Sequence, residues 1–183
     1  MASLAEFLAA HQAQTHEDGR WPDLRFQLAS YLCRRLPPLE LIGSARAVLL
    51  RAGQGMQVMV VRDPGSVHIL PGGRRQAGES LTQTLRRELL EETGWAIHQP
   101  YLLGVRHFHH CRTPAGHPTP DFFQAVFAAN AKSSHPGARE VGGYELDAAF
   151  RPLADVRRLP LPANQRLFLH AALRWSESTG GRG

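Results

Sequence analysis

The chain has 183 residues, enough for one domain that closes a core without staples. Hydrophobic residues make up 43% and charged residues 20%, which excludes wholesale disorder, and the two cysteines exclude a disulfide framework and fit a reducing, cytoplasmic setting. No apolar run is long enough to cross a bilayer and the opening residues lack the basic segment of a secretory signal, so a membrane partner is not expected. The balance of 21 Lys and Arg against 16 acids gives +5 and favours anionic partners such as nucleotides or nucleic acid. The arginines come in pairs, not in a long block, so a basic nucleic-acid tail is not expected.

The N-terminal part, residues 1–40, reads as helical. Leu4, Phe7, Leu8 and His11 have helical spacing. A second helix follows Pro22, with Asp23 as its cap and Leu24, Leu28, Tyr31 and Leu32 on one face. Pro37 and Pro38 end it. The expectation is an N-terminal helical arm, available to pack on the core or on a second copy in a homodimer.

From Ser44 the pattern changes to strands. Ala45 to Arg51 and Met56 to Arg62 form a hairpin about a glycine-containing loop, and Asp63-Pro64-Gly65 is a turn. Val67 to Leu70 is a short strand running into Pro71-Gly72-Gly73. A helix covers Leu81 to Thr93, with Ser80 and Gln83 as a capping box and Gly94 as its stop. Ile97 to His110 and Phe122 to Ala129 are further strands, and a short strand surrounds Phe150. A last amphipathic helix covers Asn164 to Ser176. Strands with helices before, between and after them predict a mixed sheet covered on both faces. The domain is expected over 41–178, with residues 179–183 as a frayed tail.

The helix over Leu81 to Thr93 carries the chemistry. At about 100° per residue, Leu81, Leu85 and Leu89 form a stripe, and Glu88 and Glu92 fall in nearly the same sector with Glu91 at its edge. Like charges at this spacing repel, and they lie at the end of the helix dipole that disfavours acids. A bound cation compensates both penalties. Hard divalent ions such as Mg²⁺ take oxygen ligands and leave positions for water and phosphate. Pro71-Gly72-Gly73 lets the backbone approach a ligand closely, and Glu79 can fold back onto Arg87 to fix loop on helix.

The segment GRRQAGESLTQTLRRELLEETGW resembles the Nudix box, G-x5-E-x7-R-E-U-x-E-E-x-G-U with U a bulky apolar residue. Gly73, Glu79, Arg87, Glu88, Leu89, Glu91, Glu92, Gly94 and Trp95 fill its fixed positions. The resemblance implies an α+β chain with a Nudix-like α/β/α sandwich. It also implies Mg²⁺- or Mn²⁺-dependent hydrolysis of a pyrophosphate linkage in a nucleotide-type substrate. On this reading Glu88 and Glu92 are the primary metal ligands, Glu91 a further one and the carbonyl of Gly72 a backbone ligand. Gly73, Glu79, Arg87 and Gly94 form the structural clasp.

The proton acceptor stays open between Glu91 or Glu92 on the helix and Glu140, Glu145 or Asp147 in a later loop. Glu145 is the favoured loop residue, standing shortly before the strand at Phe150. Phe108, Phe122, Phe123 and Tyr144 are candidates to stack on a base. His107, His109, His110, Cys111 and His117 raise a zinc reading, but no standard paired-ligand spacing supports it. Two alternatives stand beside the enzyme: a non-catalytic nucleotide sensor, and an RNA 5′-end pyrophosphohydrolase, which is not favoured.

Overall fold

The computed structural model describes residues 3–21, 24–113, 119–139 and 146–180. In chain order these form α1 (Leu4–Ala10), β1 (Thr15–Trp21), β2 (Leu24–Leu32), β3 (Ile42–Gly53), β4 (Gly55–Asp63), β5 (Ser66–His68) and β6 (Gly72–Arg74). There follow α2 (Leu81–Thr93), β7 (Trp95–Ile97), β8 (Tyr101–His110), β9 (Asp121–Ser134), β10 (Asp147–Pro152), α3 (Leu153–Val156) and α4 (Ala163–Gly180). The main strand order is β1-β2-β8-β9-β3-β4-β10, with β5 on β4, β6 on β3 and β7 on β9. Among the described strands only β3 and β9 run parallel, so the sheet is mixed, as the sequence predicts.

Alternation along the central strands sorts their side chains onto two faces. Ala45, Ala47 and Leu49 of β3 pack with Leu81, Leu85 and Leu89 of α2 and with Phe7 of α1. Val48 and Leu50 pack on the other side with Phe168, Leu169 and Ala172 of α4. The result is helix, sheet and helix in three layers. Trp95, at the last position of the glutamate-rich segment, meets Phe150 edge-on at 5.2 Å and so ties the end of α2 to β10.

The expected helical arm is largely a correction. Among the described residues before Pro38 only α1 is helical; Leu24–Leu32 is a strand, and it lies inside the sheet between β1 and β8. Leu24, Leu28 and Leu32 are four apart, a spacing that satisfies period 2 as well as a helical stripe, and pairing with β8 decides between them. The strand expected over Ile97 to His110 is two strands, β7 and β8, parted around Pro100, which has no N–H for a ladder. Helix α4 runs on to Gly180, so Thr179 and Gly180 are helical; residues 181–183 lie outside the described part. Among the described residues no helix is long and apolar enough to cross a membrane.

Candidate active site

Local sequence sets α2 as expected. Ser80 accepts from the amide of Gln83, whose side chain reaches back to the Ser80 amide, and Gly94 closes the helix in the left-handed region at φ 72°. Leu85 and Leu89 are fully buried, which fixes the rotation of the helix and sends its glutamates toward β6.

Two adjacent glycines make that approach close. Gly72 has φ 128°, and a Cβ on it would collide with the carbonyl of Ala45 on β3. Its amide donates to Glu92 Oε2 at 2.7 Å. A Cβ on Gly73 would occupy the place of the Glu88 carboxylate. The strand therefore lacks side chains where α2 delivers its acids.

Arg87 organises the cluster. Its Nε and Nη2 donate to the two oxygens of Glu79 at 2.7 and 3.0 Å. Its Nη1 donates to Glu88 Oε1 at 2.7 Å and Glu91 Oε2 at 3.0 Å, and Nη2 also donates to the carbonyl of Arg74 at 3.1 Å. All the guanidinium donors are thereby engaged, in the fork geometry that suits arginine and not lysine. The hydrogen bonds to Glu79 raise the Arg87 pKa, and the residue stays cationic. Glu79 also accepts from the amide of Gln76 at 3.0 Å and the hydroxyl of Thr84 at 2.8 Å. The clasp proposed between Glu79 and Arg87 is thus a closed set of hydrogen bonds between loop and helix.

The clasp has a pH signature. The Arg87 hydrogen bond first, then the Gln76 amide, hold the Glu79 carboxyl at about 2 against an ordinary 4.5. A carboxylate depressed on folding stabilises above its unfolded pKa and loses that contribution as pH falls through its folded pKa. Wild-type melting temperature is expected to fall from about pH 4.5 toward about pH 2 more steeply than that of Glu79→Gln. Thermal melts across that window check it, and coincident slopes would remove Glu79 from the acid response.

Of the predicted residues, Gly72, Gly73, Glu79, Arg87, Glu88, Glu91 and Glu92 meet at this one place. Gly94 acts at the far end of α2 as its cap. Glu140, Tyr144, Glu145 and His117 lie outside the described residues. Asp147 is half-exposed at the start of β10, 3.9 Å from Arg151. Phe123 is fully buried core. Phe108 and Phe122 stack on each other at 4.6 Å. Cys33 is a buried thiol pushed up to about 11 by burial, which makes it a packing residue.

A second feature was not anticipated from the sequence. Cross-strand register aligns Thr15, Ser30, Arg106, Gln124 and Ser44 in one row across β1, β2, β8, β9 and β3. The row continues to Arg74 of β6. By alternation it lies on the α4 face of the sheet, and Arg46 follows Ser44 on that face, opposite Gly72. Thr15 Oγ1, Ser30 Oγ, Ser44 Oγ, Arg46 Nε and Arg106 Nε are buried without a hydrogen-bond partner among the described residues. Arg106 Nη1 reaches Gln124 at 2.9 Å and Arg46 Nη1 the carbonyl of Leu70 at 3.1 Å. Burial first, then the positive charge of Arg46, lowers the Arg106 pKa to about 10. Arg46 and Arg106 are half-buried with buried, unused Nε donors, an arrangement that a polar, anionic ligand could satisfy. The only hint in the sequence is an arginine inside each of two apolar strand runs.

The helix glutamates are hard oxygen donors gathered in front of a side-chain-free strand, with one arginine against Glu79, Glu88, Glu91 and Glu92. That excess of negative charge and the cradle at Gly73 fit a divalent cation. Fold and site together define an acidic centre on an α/β/α sandwich. The NUDIX domain profile matches residues 41–172, and the chain belongs to the NUDIX family.

Solved structures carry the same fold. The pyrophosphohydrolase BsRppH of Bacillus subtilis aligns with TM-score 0.56 at 12% identity, covering 89% of this chain and 98% of that one. The NUDIX domain of Shewanella oneidensis NrtR, complexed with ADP ribose, aligns with TM-score 0.54 at 22% identity, covering 76% and 93%. A NUDIX hydrolase from Nitrosomonas europaea gives 0.51 at 20% identity, covering 74% and 90%. No curated protein matches the chain significantly.

Proposed function

We propose that this chain hydrolyses the phosphoanhydride bridge of a nucleoside diphosphate derivative or nucleoside triphosphate, with Mg²⁺ or Mn²⁺. The observation that carries this reading is the convergence of Glu88, Glu91 and Glu92 on the Gly72–Gly73 strand, braced by Arg87. Glu88 and Glu92 would hold the ion, with Glu91 and the carbonyl of Gly72 as further ligands. When bound, the ion supplies neutralisation of phosphate charge and a lowered pKa for water. The chain's own part is to hold the acids in register and to accept a proton. Glu91 and Glu92 are the acceptors on the helix, and Glu145 is the acceptor proposed from the later loop.

The polar row on the α4 face serves the rest of the substrate. Arg46 stands opposite Gly72 in register, so the row reaches the strand against which the glutamates are held. Arg46 and Arg106 would bind phosphate or another anionic group. The Phe108–Phe122 stack lies beside Arg106, whose guanidinium is 5.2 Å from the Phe108 ring centre. A ligand with an anionic part matches that lining.

The test is phosphate or nucleotide release from a panel of ADP-ribose, NADH, dinucleoside polyphosphates, nucleotide sugars and nucleoside triphosphates. Each is run with Mg²⁺, with Mn²⁺ and with chelator. Metal-dependent cleavage of one member is expected. Silence across the panel in folded protein that still binds a nucleotide would replace the enzyme reading with the sensor.

A further inference from the structure

Among the described residues outside the glutamate site, one cluster of metal-binding groups stands apart. His107 and His109 lie two apart on β8 and therefore point to one face of the sheet. Asp121 opens β9 and is the direct cross-strand partner of His109. His107 Nε2 and His109 Nδ1 both reach the same oxygen, Asp121 Oδ1, at 2.7 and 2.8 Å. The ligating atoms of all three residues lie within 4.8 Å of one another.

The cluster is held in place from several sides. The His107 ring lies flat on Phe123, with centroids 4.4 Å apart and planes 8° apart. The Thr119 hydroxyl accepts from the amide of Asp121 at 3.0 Å and donates to its carbonyl at 2.9 Å. Side-chain exposure is 9% for His107 and 14% for Asp121 but 48% for His109, so the site is rigid below and open to solvent above.

We propose that His107, His109 and Asp121 form a second metal site, taking a borderline transition ion such as Zn²⁺, Co²⁺ or Ni²⁺. Two imidazoles and one carboxylate are the donor set such ions take, whereas the helix glutamates offer only oxygen, the preference of Mg²⁺ and Mn²⁺. The two sites differ in softness as well as in place. Metal–ligand bonds of about 2.0–2.1 Å in a tetrahedral shell set ligand atoms about 3.4 Å apart. The separations of 2.7 and 2.8 Å to Asp121 would open and the two ring nitrogens, within 4.8 Å of each other, would adjust to that spacing, a movement that the half-exposed His109 can make. Burial keeps His107 below the ordinary histidine pKa. It would also push Asp121 up, but the hydrogen bonds from His109 and His107 outweigh it and hold that carboxyl down. Neutral imidazole and ionised carboxylate are the ligating forms. The ion takes the place of the ring protons now shared with Asp121 and clamps β8 to β9. Sequence spacing alone could not assign this site, because its carboxylate comes from the neighbouring strand.

The test is Zn²⁺ titration by calorimetry on the full chain, comparing wild type, His109→Ala, Asp121→Asn and Glu92→Gln. His109→Ala changes a half-exposed side chain and leaves the fold intact, as a thermal melt verifies. One Zn²⁺ site is expected that weakens at least about tenfold in His109→Ala and Asp121→Asn and is unchanged in Glu92→Gln. Co²⁺ should give visible d–d bands that disappear in His109→Ala. Zn²⁺ binding that survives His109→Ala, or is lost with Glu92→Gln alone, would place the ion among the glutamates and overturn the proposal.

Discussion

Glu92→Gln is expected to lower turnover by about 10²- to 10⁴-fold, the range for loss of a proton acceptor or of a charge-bearing ligand. The substitution separates charge from structure. Glu92 accepts a hydrogen bond from the Gly72 amide at 2.7 Å, and the glutamine amide oxygen can accept the same bond. The contact between α2 and β6 therefore survives while the negative charge is removed. Without divalent ion the variant should melt no lower than wild type, because the glutamates at positions 88, 91 and 92 repel one another along the helix. With Mg²⁺ or Mn²⁺ added, wild type should gain more melting temperature than the variant, since ligand binding to the folded state stabilises by mass action. Steady-state kinetics and paired thermal melts measure both effects. Full activity in a folded Glu92→Gln protein would remove this residue from the metal-holding and proton-accepting roles.

The difference between what could and could not be foreseen follows from sequence distance. Helix α2 was legible because its caps, its leucine stripe and its stop lie within fifteen residues or so, and local rules govern all of them. The clasp was legible for the same reason: Glu79 and Arg87 are eight apart on a loop and the helix it enters. The strand β2 was not, because Leu24, Leu28 and Leu32 fit both periods and the deciding hydrogen bonds come from β8, far along the chain. The polar row was hidden more deeply. Ser30, Arg106, Gln124 and Ser44 become neighbours only through the register of separate strand pairs, which no local pattern specifies. The His107–His109–Asp121 cluster falls between these cases. The two histidines announce themselves by alternation, while the third ligand depends on the β8–β9 register.

Removal of residues 1–37 is expected to abolish cooperative folding, which distinguishes an integral hairpin from an appended arm. Strand β2 pairs with β1 on one side and β8 on the other, so its loss leaves β8 as an open edge. An exposed long edge invites edge-to-edge association. The segment also supplies buried core. Phe7 is 1% exposed and meets Tyr31 and Phe123 edge-on, and Leu28, Tyr31 and Cys33 are buried. Burying each large apolar side chain contributes about 1.5–3 kcal/mol, so losing several approaches the whole stability of an ordinary domain, about 5–15 kcal/mol. The third loss is a helix contact. Glu17 on β1 accepts from the Asn164 amide at 2.7 Å and from its side chain at 2.8 and 2.9 Å, which satisfies the start of α4 from a strand 147 positions away. Calorimetry and light scattering on residues 38–183 test the prediction. The expected fragment has no sharp transition and scatters as aggregate. An arm used only to pair two copies would behave otherwise: its removal would halve the mass and leave the melt intact. A monomeric, cooperatively melting fragment would therefore show that α1, β1 and β2 pack on a core that stands without them.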